Sequence, residues 1–250
     1  MVKIGRVSYL NTLPLFYSWN SDVFFVDGHP SELAELLRKG DLQAGIVSSV
    51  EYLMHEEDYL LVPGVCISSK EKACSVLIFS ERPLEELKSI YLTPTSLTSK
   101  FLALYVLKKV YKREPSLVEE REKAQALLLI GDEAIKEKLS KRWIYTYDLG
   151  EEWYKIHKLP FVFALFLVRK DAPSWLCEYI KEQCERSKLE FYRDLTAGKI
   201  EIKEFDKGFI LGYFSSCLSY ELDHEALRSL YIFNGFLMEK LKLLSKEVVE

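Results

Sequence analysis

From Lys3 to Arg169, short apolar runs of strand length alternate with segments of helical periodicity, and beyond Asp171 only the helical pattern continues. No other feature narrows the possible architectures as far. Alternating strands and helices build α/β layers with largely parallel sheets. One group of runs lies at Lys3–Val7, Val23–Val26, Ala44–Val47, Leu60–Val62 and Cys74–Phe79; a second lies at Ile90–Leu92, Ala124–Ile130 and Trp143–Tyr147. Glu81-Arg82-Pro83 breaks the two groups apart, and Leu159–Val168, the longest β-like run, reads as the return crossing. Two groups joined by two crossings predict two lobes, with residues 1–80 plus 165–250 in the first and 81–164 in the second. A small-molecule site is then expected in the interlobe cleft. Helices over Pro173–Thr196, Phe209–Tyr220 and Asp223–Leu244 complete the first lobe.

A chain of 250 residues with 48% hydrophobic and 29% charged residues can bury a full core and has no disordered character. Its net charge of −4 gives no basic footprint, so neither nucleic acid nor an anionic membrane is expected as partner. A small anion stays open, because local N–H groups can override bulk charge. No apolar run approaches a membrane span, and Met1–Val7 does not read as a secretion signal, so a cytoplasmic location is expected. The five cysteines (66, 74, 177, 184 and 217) lack C-x-x-C spacing and read as mostly buried thiols of a reducing compartment. His29, His55, His157 and His224 are scattered, so no metal site is expected; His157 reads as an exposed loop residue. Oligomeric state has no signature here.

The polar residues gather at strand ends. Thr93-Pro94-Thr95-Ser96-Leu97-Thr98-Ser99 holds five hydroxyls between a strand and the helix that starts near Ser99. Such a helix turns unpaired N–H groups and partial positive charge toward the loop. Simple capping and anion binding both account for the pattern. Ser48-Ser49 repeats it in miniature, with Glu51 suited to the helix dipole, and Asn11-Thr12 follows the first strand. Asn11 reads equally as a turn residue or a ligand contact. Arg6 lies near the end of that strand, and Gly131-Asp132 closes the Ala124–Ile130 run. The chain has no G-x-S-x-G elbow, P-loop or dinucleotide fingerprint. A set this poor in titratable groups suits holding an anion better than hydrolysis.

Five motifs occur in order: Gly5-Arg6-Val7-Ser8-Tyr9-Leu10-Asn11-Thr12-Leu13-Pro14-Leu15, Asp41–Tyr52, Ser96-Leu97-Thr98-Ser99, Leu128-Leu129-Ile130-Gly131-Asp132, and Asp148–Trp153 followed by Leu159–Ala164. Together they resemble the chorismate dehydratase family of the futalosine route to menaquinone, over nearly the whole chain. The resemblance implies a type II periplasmic-binding-protein fold and a reaction that removes water from dianionic chorismate, without metal or organic cofactor. It departs from the family at Leu97, where an Arg or other polar residue is expected, at His157-Lys158 in place of Thr-Gly, and at Phe166 in place of Trp. Residues and resemblance together nominate Asn11 and Ser96 as catalytic donors, with Arg6, Tyr9, Ser48, Ser49, Thr95, Thr98, Ser99, Gly131 and Asp132 contacting substrate. The rival readings are the sister enzyme that makes 1,4-dihydroxy-6-naphthoate, a small-anion-binding protein of the same fold, and the effector lobe of a regulator.

Overall fold

The structure, a computed structural model, describes residues 1–19 and 23–247. The first lobe opens with β1 (Lys3–Val7), a single 3-10 turn at Leu10–Thr12 and the one-turn helix α1 (Leu13–Phe16). There follow β2 (Phe24–Gly28), α2 (Pro30–Lys39), β3 (Ala44–Ser48), α3 (Ser49–Met54) and β4 (Tyr59–Ser69). The second lobe contains β5 (Val76–Ser80), β6 (Ser89–Leu92), α4 (Leu97–Tyr105), β7 (Ser116–Val118), β8 (Ala126–Ile130), α5 (Gly131–Leu139), β9 (Tyr145–Asp148) and α6 (Leu149–His157). The chain returns through β10 (Val162–Arg169) and finishes with α7 (Leu176–Thr196), α8 (Lys207–Gly212), β11 (Leu218–Ser219) and α9 (His224–Glu247). None of the described helices is long and apolar enough to cross a membrane.

Two sheets carry the lobes, in the orders β11-β4-β10-β3-β1-β2 and β7-β6-β8-β5-β9. The expectation of largely parallel sheets needs correction. β1 pairs in parallel with β2 and β3, and β6 with β7 and β8, but β10 and β5 run antiparallel to both neighbours. β10 returns to lie between β3 and β4 of the first sheet and runs against both, whereas β5 is the first strand of the second lobe, and the later strands β8 and β9 are laid against it in the opposite direction. Sheet membership also moves the boundaries. β5 pairs with β8 and β9, so the first crossing lies between Ser69 and Val76 and not at 81; β10 pairs with β3 and β4, so the second ends by Val162. We propose lobe limits drawn from these pairings.

Local chemistry explains the helices beside the cleft. α2 has Pro30 in its first turn, buries Leu33, Ala34 and Leu37 on one face, and stops at Gly40, whose φ of 84° favours glycine. Its cap residue is His29, two positions before Ser31, and the Glu32 carboxylate accepts the His29 N–H at 3.0 Å. Two large apolar clusters form the lobe cores. α9 contributes to both: Ala226 and Leu230 pack in the first, Phe233, Phe236 and Leu237 in the second with Tyr105, Trp153 and Phe161. The Trp153 indole N–H donates to Ser229 at 2.9 Å, so the last helix straps the lobes together and does not belong to the first alone.

Two cysteines depart from the expectation of mostly buried thiols, since Cys74 and Cys217 form a disulfide with Cα atoms 5.9 Å apart. Cys66 and Cys184 are buried free thiols, and burial pushes the Cys66 thiol up to about 12. His157 is not an exposed loop residue either. α6 extends to it, its Nε2 lies 2.8 Å from the Tyr105 hydroxyl, and its ring packs 4.0 Å from Trp153, so burial lowers its pKa.

Candidate active site

The N-termini of α3 and α4 meet across the cleft, and their hydroxyls divide into two sets. Thr98 is buried and serves three partners: its Oγ1 lies within hydrogen-bond distance of Ser48 Oγ, 3.1 Å from Ser49 Oγ, and accepts the Val50 N–H at 3.1 Å. The Thr98 N–H donates back to Ser48 Oγ at 3.1 Å, and Ser49 Oγ donates to the Val162 carbonyl at 2.9 Å. Ser48, Ser49 and Thr98 thus knot the lobes together beside the second crossing, and their polar atoms are largely consumed.

Ser96 and Ser99 form the other set. Ser96 is the N-cap of α4, its Oγ accepting the Ser99 N–H at 3.3 Å and lying 3.1 Å from Ser99 Oγ. Its carbonyl accepts the Lys100 N–H at 3.2 Å. With the 98 and 99 amides engaged as well, the Leu97 N–H is the first-turn donor left over, among the described residues, at the positive end of α4.

A narrow cavity of about 50 Å³ opens beside this helix end, lined by Tyr9, Asn11, Thr12, Ser48, Ser75, Ser96, Ser99 and Gly131 with an apolar remainder including Phe163. None of its described lining residues carries a formal charge. Asn11 Oδ1 is buried there with no hydrogen-bond partner among the described residues, while the Asn11 carbonyl accepts the Tyr220 hydroxyl at 2.7 Å. Buried polar atoms are nearly always paired, so an orphan facing a cavity marks a place for a ligand atom. The Tyr9 ring packs on Gly131, where a Cβ would come within 3.0 Å of the ring and φ is +61°; glycine is required there on both counts. The Gly131 N–H, however, is already donated to the Ser75 carbonyl at 2.8 Å. Tyr9 Oη lies 2.9 Å from His29 Nδ1, and burial raises its pKa, with a hydrogen bond to Thr95 opposing.

Five nominated residues fall outside the cavity or serve it indirectly. Arg6 forms a bidentate pair with Asp27 at 2.7 and 2.9 Å and sits over the Phe25 ring, on the outer side of the cleft. Asp132 accepts the Leu10 N–H at 2.9 Å, and burial raises its pKa. The Thr95 carbonyl accepts the Ser31 N–H at 3.2 Å, and its hydroxyl pairs with Thr93 at 2.9 Å. Ser49 and Thr98 belong to the knot. Glu51 does more than complement a dipole: it is buried, with Arg38 bidentate at 2.9 and 3.1 Å and the Tyr59 hydroxyl at 2.8 Å. Sequence reasoning missed Ser75 and Thr12 as lining residues. Ser75 sits in a crossing segment with no motif, and Thr12 was overshadowed by Asn11.

A sequence model described as menaquinone biosynthesis matches residues 2–239. A chorismate dehydratase of Thermus thermophilus is 30% identical over 191 residues, spanning 68% of this chain and 70% of its own length. A chorismate dehydratase of Campylobacter jejuni is 29% identical over 171 residues, spanning 65% of each chain, just under two thirds. Among solved structures, a protein of Archaeoglobus fulgidus superposes with a TM-score of 0.70 at 14% identity, covering 96% of this chain and 97% of its own. The periplasmic aliphatic sulphonate binding protein of Escherichia coli gives 0.60 at 12% identity, covering 96% and 92%. At such identities the two structures share the fold alone, which is the two-lobed periplasmic-binding-protein fold.

Proposed function

Because the chain belongs to the menaquinone-biosynthesis family, we propose that it is a chorismate dehydratase, a hydro-lyase that converts chorismate to 3-[(1-carboxyvinyl)oxy]benzoate and water. The observation that carries the reading at the site is Asn11: a buried, unpartnered acceptor or donor beside the positive end of α4. An amide can present either atom, so Asn11 suits a hydroxyl, an ether oxygen or a carboxylate.

The chemistry needs little more than such a site. Removal of the C3 proton of chorismate leaves charge that spreads through the ring diene into the ring carboxylate, and departure of the C4 hydroxyl as water completes an aromatic ring. Donors already aimed at the developing charge stabilise it without reorganisation. Ser96, Ser99 and the Leu97 N–H serve the carboxylate in this reading, and Asn11 orients the enolpyruvyl or hydroxyl side. The lining offers no strong base, so the substrate's side-chain carboxylate takes the C3 proton and passes it to the departing C4 hydroxyl, which leaves as water. A cavity of about 50 Å³ holds only a few waters, so a ten-carbon diacid enters when the lobes part. Parting them breaks the Ser31–Thr95 and Leu10–Asp132 bonds, while the knot beside the crossing is placed to act as the pivot.

The test is direct. Incubation of the purified chain with chorismate is expected to shift the ultraviolet spectrum toward an aromatic product lighter by one water. Chorismate recovered unchanged would overturn the reading; tight binding without turnover would favour the anion-binding alternative.

A further inference from the structure

The Asn11 side-chain oxygen has no partner among the described residues, but the turn that carries it is held from both lobes. Asn11 is the middle residue of the 3-10 turn Leu10–Thr12. Within the turn, Thr12 Oγ1 lies 2.7 and 2.8 Å from the Val7 and Tyr9 carbonyls, and the Thr12 N–H donates to the Tyr9 carbonyl at 3.1 Å. From the first lobe, the buried Tyr220 hydroxyl donates to the Asn11 carbonyl at 2.7 Å. From the second, Asp132, in the first turn of α5, accepts the Leu10 N–H at 2.9 Å, and the Tyr9 ring packs on Gly131 beside it. The Leu10 N–H lies in a peptide group before Asn11, and the Asn11 carbonyl in the one after it. Peptide groups are planar, so pinning one on each side leaves the Asn11 side chain little freedom of direction.

The two anchors differ in kind. Tyr220 shares a lobe with Asn11, so its bond survives when the lobes part. Asp132 reaches from the other lobe, so its bond to Leu10 exists only with the lobes together. Asp132 has no salt-bridge partner among the described residues: Lys136, one turn along α5, pairs with Glu204 at 2.5 Å, and Arg6 pairs with Asp27. Nor does its carboxylate help to hold the fold. Burial raises the Asp132 pKa, and the bond from the Leu10 N–H opposes the rise without cancelling it. A carboxyl whose folded pKa lies above its unfolded one lowers stability once pH exceeds both values. A carboxylate held on those terms, and bonded across the cleft to the neighbour of Asn11, is explained by its effect on the site.

We propose that Asp132 is a positioning residue for the dehydration: by accepting the Leu10 N–H across the cleft it aims Asn11 at the substrate, with Tyr220 holding the same turn from the first lobe. This rests on the dehydratase reading for the reaction, and it replaces direct contact between Asp132 and substrate with action through the turn.

The experiment measures kcat, KM, chorismate affinity by calorimetry, and Tm for wild type, Asp132→Ala, Asp132→Asn, Tyr220→Phe, Asn11→Ala and the Asn11→Ala/Asp132→Ala double variant. Asp132→Ala is expected to lower kcat about tenfold, the size of one ordinary hydrogen bond, with KM within about threefold and no fall in Tm at neutral pH. A bond that did no more than latch the lobes would raise KM and keep kcat. Asp132→Asn keeps an oxygen for the Leu10 N–H, so it is expected to recover most of the lost kcat. Tyr220→Phe is expected to lower kcat and, because it strands a carbonyl within one lobe, Tm as well. The double variant should be no slower than Asn11→Ala, since Asp132 acts through Asn11. Wild-type kcat in Asp132→Ala or Tyr220→Phe, an Asp132→Asn variant as slow as Asp132→Ala, or losses that multiply in the double variant would overturn the proposal while leaving the activity in place. If wild type does not turn chorismate over, the dehydratase reading fails, and the proposal is judged by affinity. Weaker chorismate binding in Asp132→Ala, restored in Asp132→Asn and not added to that of Asn11→Ala, then supports it; any other pattern, absent binding included, overturns it.

Discussion

At the inner end of the cleft, Ser48, Ser49 and Thr98 bond to one another and to backbone on both lobes. Within one turn of the same helix, Ser96 and Ser99 border open space with Asn11. The residue types are nearly the same and the neighbourhoods differ by a few ångströms, yet one set is an internal latch and the other a candidate binding surface. What separates them is hydrogen-bond satisfaction. A hydroxyl whose donors and acceptors are all engaged stabilises the fold; one left beside an unpartnered amide has interaction energy to give a ligand.

The largest expected effect comes from Asn11→Ala. If Asn11 is a transition-state donor, turnover should fall by about 10²-fold or more, near the loss seen for a single oxyanion donor. Its side-chain oxygen has no partner among the described residues, so thermal unfolding should show no loss of Tm. Full activity in this variant would remove Asn11 from the site. Ser96→Ala should also cost about 10²-fold in turnover. It differs in losing the α4 cap as well, worth about 1 kcal/mol, or about 2–4 °C in Tm for a chain of this size. A Ser96→Ala variant that loses Tm and keeps turnover would move Ser96 across to the latch.

How the comparison reads from sequence alone is instructive. Strand and helix periodicity made the two-lobed α/β architecture legible, because alternation of buried faces is a local property of the chain. Strand direction was not legible, since whether β5 and β10 run with or against their neighbours depends on the lobe into which each crossing delivers them. The hydroxyl-rich loop was visible as a helix start. The fate of Thr98, however, is decided by Ser48 and Ser49, about 50 residues earlier in the chain. Arg6 looked available in one dimension because Asp27, its bidentate partner, comes from the neighbouring parallel strand, in register Arg6 to Asp27. Ser75 carried no signal at all: its place in the cavity comes from its own contacts to residues 131 and 213 and from the bonds of Ala73 and Cys74 to Asp148, all of them distant in sequence. Cys74 and Cys217 are 143 residues apart, and only the crossing brings them together.

Thr98→Val tests the latch from the other side. The substitution keeps the shape of the side chain and removes the oxygen that serves Ser48, Ser49 and the Val50 N–H. Leaving those buried groups short of a partner should cost about 1–3 kcal/mol, read as a lower Tm or denaturation midpoint. Bound chorismate would still meet Asn11, Ser96 and Ser99, so kcat should change less than stability does. A large kcat loss with unchanged Tm would show that Thr98 contacts substrate and that the two sets are one.

The smallest effect is expected at Arg6, and its pH dependence can be worked out. The Arg6 guanidinium holds the Asp27 carboxylate below its ordinary value of 3.8, through their hydrogen bond first, with desolvation opposing next and their charge attraction adding least. A carboxyl whose pKa is lower in the folded state than in the unfolded one adds stability at pH values above the unfolded pKa. That contribution is lost as pH falls through the lower folded value. With side-chain exposures of 35% and 48% the pair is screened by solvent, so its worth stays below about 1 kcal/mol and shrinks further in salt. Arg6→Ala should therefore be slightly less stable than wild type near neutral pH and converge with it on acidification, as followed by urea unfolding at several pH values. Because the pair lies outside the cavity, kcat and KM for chorismate should stay within about threefold of wild type. A KM raised tenfold or more would mean that Arg6 leaves Asp27 when the lobes part and meets the incoming dianion, turning a surface pair into part of the entry path.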